Sequence, residues 1–240
     1  MSQRRPLGLS VYESFADRYA KYGETKDYYR YIALPAIRKL VPNVKGKRVY
    51  DAGCGTGIHS KWFLTKGAEV IASDVTPKFV EMTRKRCEDQ AEVHVADLAE
   101  PLTFIEDQHV DLVFSALVLH YIENWEPVFA EFNRILKPGG AVVFSCHHPL
   151  NDLGLSPTGN YHQHERVQTT WGGFGEPRPI IQYYRGSMSH VLQPILKAGL
   201  LLEAFDEPHA DEAFMRVTRS KYHEAEKDAI FLCIKARKPA

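Results

Sequence analysis

The sequence predicts an α/β protein built on a doubly wound, mostly parallel sheet of seven strands. Three observations lead to this fold class. Short apolar runs alternate with helical patterns between residues 48 and 146, a glycine-rich turn follows the first run, and two more apolar runs close the chain. Strands that alternate with helices are joined by crossovers, which favour parallel pairing. The two closing runs predict an antiparallel last strand.

The first part of the chain is rich in aromatic residues. Between residues 10 and 22, four aromatics recur at spacings of three and four, which is the pattern of one helix face. A second helix is expected to end near Leu40. These residues form the first of four parts of one domain: an N-terminal helical part (1–46), a core (47–146), an insert after the fifth strand (147–185), and a C-terminal helix with strands (186–240).

The core alternates regularly between strands and helices. A proline opens one helix and glycines follow the ends of others, as is usual at helix termini. The predicted strands are Val49–Ala52, Glu69–Ser73, Glu92–Val95, Val110–Ser115 and Ala141–Cys146, and the predicted helices are Ile58–Lys66, Pro77–Cys87 and Glu126–Leu136. After the insert, which shows no long period, the predicted elements are the helix Ser187–Ala198 and the strands Leu200–Phe205 and Ala229–Ala236.

Composition excludes several classes of partner. Lys and Arg together number 30, as do Asp and Glu, so no broad basic field exists to hold a nucleic acid. No apolar run is long enough for a transmembrane helix, and no signal peptide is evident, so we expect no membrane partner. The four cysteines are far apart and form no CxxC pair, which predicts isolated thiols in a cytoplasmic protein and no zinc site.

The turn after the first strand is the most informative segment. Residues 51–57 read Asp-Ala-Gly-Cys-Gly-Thr-Gly, so an acid is followed by three glycines at every second position. Such a turn exposes backbone N–H groups at the start of a helix, where nucleotide-like ligands bind. The spacing differs from the G-x-G-x-x-G of dinucleotide folds, and Asp51 is unfavourable for a pyrophosphate. A ligand with a cationic group and no phosphate, such as S-adenosylmethionine, is favoured over NAD.

Other acids and small residues follow later strands of the core. Asp74 ends the second strand, 23 residues after Asp51, where a carboxylate can accept both hydroxyls of a ribose. Asp97 and Leu98 follow the third strand, and Ser115 and Ala116 end the fourth. Because ligands bind at the carboxyl ends of strands in open α/β sheets, we expect these residues to share one site.

Five motifs in this order resemble a known family. They read Val-Tyr-Asp-Ala-Gly-Cys-Gly-Thr-Gly, Ala-Ser-Asp-Val-Thr, Val-Ala-Asp-Leu, Asp-Leu-Val-Phe-Ser-Ala-Leu-Val-Leu-His-Tyr and Leu-Lys-Pro-Gly-Gly. Together they resemble class I S-adenosylmethionine-dependent methyltransferases of the small-molecule, type 11 domain kind, over about residues 45–146. The resemblance implies a Rossmann-like fold, S-adenosylmethionine as cofactor and S-adenosylhomocysteine as product.

The resemblance also implies roles for matching residues. The methionine end of the cofactor would contact the acid and glycines of the turn, Asp51, Gly53, Gly55 and Gly57. Asp74 would bind the ribose, Val75 would lie beside the adenine, and Asp97 with Leu98 would face the adenine amine. The end of the fourth strand, Ser115 and Ala116, would lie near the cofactor. Family members often cover the cofactor with an N-terminal helix. Tyr19 would then shield the sulfonium, together with Tyr12 and Phe15, because an aromatic face attracts a cation.

The acceptor side is less defined by sequence. Methyl transfer depends on alignment of the nucleophile, helped by a general base where a proton must leave. His147 and His148 after the fifth strand are the first candidates for this base, followed by His120. A substrate wall is expected from four aromatics of the insert, Trp171, Phe174, Tyr183 and Tyr184, and Arg185 is expected to anchor a carboxylate or phenolate. No metal is expected, since the histidines His162 and His164 lack a diagnostic spacing.

The leading hypothesis is therefore a methyltransferase acting on a small-molecule acceptor through an O, N or C nucleophile, and an aromatic-walled pocket suggests a planar or apolar molecule. Methylation of tRNA, rRNA or protein is one alternative, and a non-catalytic S-adenosylmethionine-binding sensor or partner subunit is another. The protein is expected to be a monomer or a homodimer.

Overall fold

The computed structural model describes residues 5–240, so residues 1–4 of the predicted N-terminal part lie outside the described residues. A seven-stranded sheet forms the centre. Its strands are β1 (Arg48–Ala52), β2 (Glu69–Asp74), β3 (Glu92–Val95), β4 (Val110–Ala116), β5 (Leu136–His147), β8 (Leu201–Asp206) and β9 (Phe231–Arg237), and a separate hairpin contains β6 (Glu165–Thr170) and β7 (Ile180–Arg185). The order across the sheet is β3-β2-β1-β4-β5-β9-β8.

The strand directions confirm the predicted fold class. β1 pairs in parallel with β2 and β4, and the parallel pairing continues to β3 and β5. β9 runs antiparallel to both of its neighbours, β5 and β8. The antiparallel strand therefore lies inside the sheet, and β8 forms the edge. Residues 231–234 are buried because β9 is covered on both faces, which explains their continuous apolar sequence.

Helices cover both faces of the sheet and build one hydrophobic cluster on each. The helices are α1 (Leu7–Tyr12), α2 (Ala16–Tyr22), α3 (Leu34–Leu40), α4 (Ile58–Thr65), α5 (Pro77–Cys87), α6 (Glu126–Ile135), α7 (Met188–Lys197), α8 (Glu212–Val217) and α9 (Arg219–Ala225). One cluster includes the buried side of α6, with Phe129 and Phe132, and the other includes Phe63 of α4. No helix in residues 5–240 has both the length and the apolar surface needed to cross a membrane.

The single helix predicted over residues 10–22 is wrong, because the chain turns between α1 and α2. Phe15 has φ −135° and ψ 19°, outside the helical region. The aromatic spacing still brings the side chains together. Phe15 is buried with Tyr12 and Tyr19 beside it, in a cluster that also includes Phe174 of the insert. The break lets two short helices wrap around this cluster.

The insert contains a hairpin that the sequence pattern did not reveal. β6 and β7 pair antiparallel, with Arg166 opposite Tyr184 and Val167 opposite Tyr183. Val167, Ile181 and Tyr183 are buried against the N-terminal aromatics. The hairpin and the N-terminal helices therefore form one layer over the carboxyl ends of the core strands.

Candidate active site

The glycine turn between β1 and α4 has a backbone that only glycine adopts easily. Gly53, Gly55 and Gly57 have φ of +80°, +54° and +81°. A Cβ atom on Gly53 would lie 2.4 Å from Cγ2 of Val118, whereas a Cβ on Gly55 would meet no atom of residues 5–240 within 4 Å apart from its chain neighbours. Gly53 is thus required by close packing, and Gly55 presents its backbone to open space.

Asp74 at the end of β2 holds this turn in place. Its Oδ2 accepts a hydrogen bond from the backbone N–H of Gly55 at 2.9 Å, and its Oδ1 accepts one from Thr76 at 2.8 Å. Burial raises the pKa of Asp74, and both backbone hydrogen bonds oppose that rise. The arrangement fixes a carboxylate beside the exposed backbone of Gly55.

Asp51 lies beneath the turn and is almost fully buried. The hydroxyl of Ser60 donates a hydrogen bond of 2.5 Å to its Oδ2. Burial raises the pKa of Asp51 to about 7, with a further contribution from the charge of Asp74, while the Ser60 hydrogen bond opposes the rise. Ser115 is also buried, and its hydroxyl donates to the carbonyl oxygen of Ala52. Both side chains support the turn from below.

A first cavity of about 640 Å³ opens above the turn. It collects most of the residues predicted to bind the cofactor and two of the predicted lid aromatics. Those lining it are Gly53, Gly55, Asp74, Val75, Asp97, Leu98, Ala116, Tyr12 and Tyr19. Asp51, Gly57 and Ser115 do not line it. Residues that the sequence reasoning missed include Phe79, Val118 and Tyr121.

Three tyrosines form the roof of the first cavity. The hydroxyls of Tyr12 and Tyr121 lie 2.8 Å apart, and the Tyr19 ring meets that of Tyr12 edge-on at 5.0 Å. Burial raises the pKa of Tyr19 to about 12, with smaller contributions from Glu24 and Asp74. Burial likewise raises the pKa of Tyr12 and of Tyr121. All three hydroxyls therefore stay protonated near neutral pH.

A second cavity of about 480 Å³ adjoins the first. Three residues line both cavities: Glu123, Asn124 and Tyr184. The short 3₁₀ turn Leu119–Tyr121 also separates them, since Tyr121 lines the first cavity and His120 the second. The second cavity is rich in imidazole groups, which come from His120, His147, His164 and His190.

The predicted catalytic histidines have different surroundings. The rings of His120 and His147 stack with centroids 4.4 Å apart, and both residues line the second cavity. Burial lowers the pKa of His120 well below its ordinary value, and His147 adds to this effect. His148 lines neither cavity. It is buried, and its Nε2 lies 2.8 Å from Oε1 of Glu207.

Of the residues predicted to bind the substrate, some line a cavity and others do not. Phe15 and Trp171 belong to the aromatic cluster and line neither cavity. Tyr183 is buried, and its hydroxyl donates to Oδ1 of Asp152 at 2.9 Å. Arg185 lines the second cavity, but its guanidinium pairs with Glu165 at 3.0 Å and donates to three backbone carbonyls of residues 160–163. Its charge is thus already balanced within the protein.

No group of three or more His, Cys, Asp or Glu side chains within residues 5–240 is arranged to hold a metal ion.

Residues 50–144 match a protein family described as a methyltransferase domain. Residues 50–144 therefore form a methyltransferase domain, and the chain has the fold of S-adenosylmethionine-dependent methyltransferases. This methyltransferase is 27% identical over 234 residues to an uncharacterised protein of Haemophilus influenzae, covering 86% of this chain and 87% of that protein. It is 34% identical over 109 residues to malonyl-[acyl-carrier protein] O-methyltransferase of Hamiltonella defensa, but the match spans only 41% of that relative and 45% of this chain. Its fold is similar to that of a putative S-adenosylmethionine-dependent methyltransferase from Listeria monocytogenes, with a TM-score of 0.74 at 21% identity, over 87% of this chain and 97% of the other.

S-Adenosylmethionine is accordingly the cofactor of this methyltransferase, and the first cavity fits it. The open space at Gly55 lets a ligand approach the backbone, and the Asp74 carboxylate, which lines the cavity, suits hydroxyls, while Asp51 lies buried beneath the turn. A volume of about 640 Å³ lies within the range of cofactor sites.

Proposed function

We propose that this methyltransferase methylates a small-molecule acceptor that occupies the second cavity. The observation that carries the proposal is the adjacency of the two cavities, which share Glu123, Asn124 and Tyr184. One cavity contains the glycine turn and Asp74, and the other contains the histidines. A donor in the first cavity and an acceptor in the second would meet across this shared wall.

The size and charge of the second cavity favour a small acceptor. A volume of about 480 Å³ is within the range of small-molecule sites. Its basic residues Arg185 and Lys197 are paired with Glu165 and Glu126. The cavity therefore offers no unbalanced positive charge to a nucleic acid backbone. Methylation of tRNA, rRNA or protein and a non-catalytic binding role remain the alternatives.

Oxygen is the favoured acceptor atom, because a named relative is an O-methyltransferase. The bound cofactor supplies a methyl group attached to a cationic sulfur, and this sulfur is a good leaving group. The chain must then orient the acceptor and remove any proton that it carries. A general base contributes about 10²–10⁴-fold to such a step.

His147 is the best placed of the three predicted bases. His148 is held by Glu207 outside both cavities, and burial keeps His120 neutral and weakly basic. His147 lines the second cavity, and its Nδ1 lies 3.5 Å from Oδ1 of Asp152. We propose His147 as the base and His120 as a neighbour that packs against it.

The test is a methyl-transfer assay with labelled S-adenosylmethionine and a panel of small phenols, carboxylic acids and amines. We expect label in small organic products, and we expect His147→Ala to lower kcat/KM by about 10²–10⁴-fold without changing the Kd of the cofactor. The matched control is His223→Ala, since His223 is exposed and lines neither cavity. Full activity in both His147→Ala and His120→Ala would contradict the assignment of the base. Label confined to RNA or protein would contradict the small-molecule acceptor.

A further inference from the structure

We propose that Asp152 is a positioning residue that orients His147 for proton abstraction, and that the acceptor is consequently a hydroxyl group. This inference rests on the proposed function, because it deepens the role of His147. Asp152 begins the 3₁₀ turn Asp152–Leu155, five residues after the end of β5, and it lines the second cavity.

Asp152 is itself held firmly. Only 3% of its surface is exposed, and the Tyr183 hydroxyl donates to its Oδ1 at 2.9 Å. Its backbone N–H donates to the carbonyl of His148. Burial and the Asp152 carboxylate both raise the pKa of Tyr183, so that hydroxyl keeps its proton and acts as a donor to the carboxylate. The carboxylate position is therefore set from two sides.

The imidazole of His147 is oriented by this carboxylate. Its Nδ1 is buried without a hydrogen-bond partner and lies 3.5 Å from Oδ1 of Asp152. That distance is slightly longer than a hydrogen bond, and such contacts commonly tighten when a substrate binds. Because His147 lines the cavity while its Nδ1 is buried, Nε2 is the nitrogen left to face a ligand. A proton on Nδ1, directed at the carboxylate, leaves a lone pair on Nε2.

The remaining groups around His147 do not supply a competing carboxylate. His120 stacks on it from the 119–121 turn, and burial keeps that imidazole neutral. Tyr183 of β7 meets it edge-on at 4.7 Å, and Phe231 of β9 lies 6.2 Å away. The Cys146 thiol precedes it on β5, and burial raises the pKa of that thiol. Among residues 5–240, Asp152 is thus the one carboxylate that lies within ion-pair distance of His147.

For an oxygen acceptor, the atom favoured under the proposed function, the pair distinguishes a hydroxyl from a carboxylate. A carboxylate acceptor is already ionised near neutral pH and has no proton to lose, whereas an alcohol, phenol or enol must lose one. In the proposed step the acceptor O–H proton passes to Nε2 of His147. The oxygen forms its bond to the methyl carbon as the carbon–sulfur bond breaks, and the cationic sulfur becomes a neutral thioether. The proton then leaves from His147 to water.

Nitrogen-15 NMR of histidine-labelled protein tests the positioning role without any turnover. The His147 signals are assigned by their loss in His147→Gln. In the wild-type protein we expect the neutral ring to carry its proton on Nδ1, directed at the Asp152 carboxylate. In Asp152→Asn we expect this preference for the Nδ1 tautomer to weaken, because an amide oxygen is a poorer acceptor than a carboxylate. Asp89→Asn, which removes an exposed carboxylate after α5, beside the edge strand β3, should leave the tautomer unchanged. A wild-type ring protonated on Nε2, or an Asp152→Asn ring with the same tautomer preference as the wild type, would overturn the inference.

The kinetic arm separates this inference from the proposed function. With a hydroxyl acceptor, Asp152→Asn should lower kcat, with little change in the KM for the cofactor. If His147→Ala keeps full activity, the base of the proposed function fails, while the NMR result still reports on the Asp152–His147 contact. Efficient methylation of a carboxylic acid, insensitive to both substitutions, would overturn the hydroxyl assignment.

Discussion

Alanine substitution along the glycine turn should separate folding from cofactor binding. Gly53 and Gly55 both have positive φ, and both line the first cavity. A non-glycine residue in that region costs about 1–2 kcal/mol in folding stability. The two positions differ in the space around them, and this difference gives opposite expectations for the two substitutions.

Gly53→Ala should mainly destabilise the fold. The new Cβ would lie 2.4 Å and 2.5 Å from the two γ carbons of Val118, so the overpacking penalty of about 1–3 kcal/mol adds to the backbone strain. Removing the γ carbons of Val118 in the double variant Gly53→Ala/Val118→Ala should recover most of the stability that is lost to overpacking. Urea unfolding at one pH measures each free energy of unfolding.

Gly55→Ala should mainly weaken cofactor binding. Beyond its chain neighbours, its Cβ would meet no atom of the described part of the chain within 4 Å, so only the backbone strain of about 1–2 kcal/mol applies to folding. The added methyl group projects into the space where the cofactor would approach the backbone. We expect the Kd for S-adenosylmethionine to rise at least about tenfold, which corresponds to about 1.4 kcal/mol, as measured by calorimetry. If Gly55→Ala binds the cofactor as tightly as the wild type, or loses as much folding stability as Gly53→Ala, the reasoning is refuted.

Three further outcomes are expected. The folded pKa of Asp51 is about 7 against an ordinary value of 3.8, so the folded protein holds the extra proton between these values. Asp51 should therefore contribute a fall in the free energy of unfolding of the cofactor-free protein as pH rises through this window, levelling off above 7, while cofactor affinity rises. The buried His59 and His120, whose pKa values are lowered, act in the opposite direction, so the Asp51 contribution is the difference between the wild type and Asp51→Asn in urea titrations and calorimetry; a difference that does not change with pH would contradict this origin. Asp74→Ala removes the proposed hydrogen-bond acceptor for the ribose. Because a charge-assisted hydrogen bond contributes about 1.5–3 kcal/mol, the Kd of the cofactor should rise at least tenfold. An unchanged Kd in calorimetry would refute the role of Asp74. Because no cluster of metal-ligating side chains lies within residues 5–240, methyl transfer should continue undiminished after chelation with EDTA, and a loss restored by a divalent ion would contradict that expectation.

The core was predictable because its signals are local. The helix Pro77–Cys87 and the strand Glu92–Val95 match their predicted bounds, and the other core helices end within one residue of expectation. The exception is the fifth strand, which begins at Leu136 rather than Ala141. There the Lys-Pro-Gly-Gly segment suggested a loop. Pairing with β4 begins at Leu136, but residues 137–140 interrupt it, with Gly139 at φ +74°, and it resumes at Ala141.

The hairpin and the second cavity could not be predicted, because their contacts are distant in sequence. The buried face of the hairpin is covered by aromatics of α1 and α2, more than 140 residues away. Arg185 looked like a substrate anchor, yet its neighbour across the hairpin is Glu165, and the two form an ion pair. Asp152 has no local signal, since it is one acid in an irregular segment until the fold places it against His147.

The roles of individual site residues stay predictions, although their positions are now known. The fold collects nine of the proposed binding residues around the first cavity, including Asp74 and Gly55. It places His120, on the 119–121 turn, and His147, at the end of β5, in the second cavity. The donor site follows from motifs on consecutive strands, whereas the acceptor site depends on how the insert folds over them.

Calorimetric titration with S-adenosylmethionine, S-adenosylhomocysteine and NADH tests the central claim most directly. The account predicts that both sulfur compounds bind at one site per chain, that Asp74→Ala weakens both, and that NADH does not bind. Failure of the wild-type protein to bind either sulfur compound, or binding of NADH in their place, would contradict the assignment of the first cavity as a methyl-donor site.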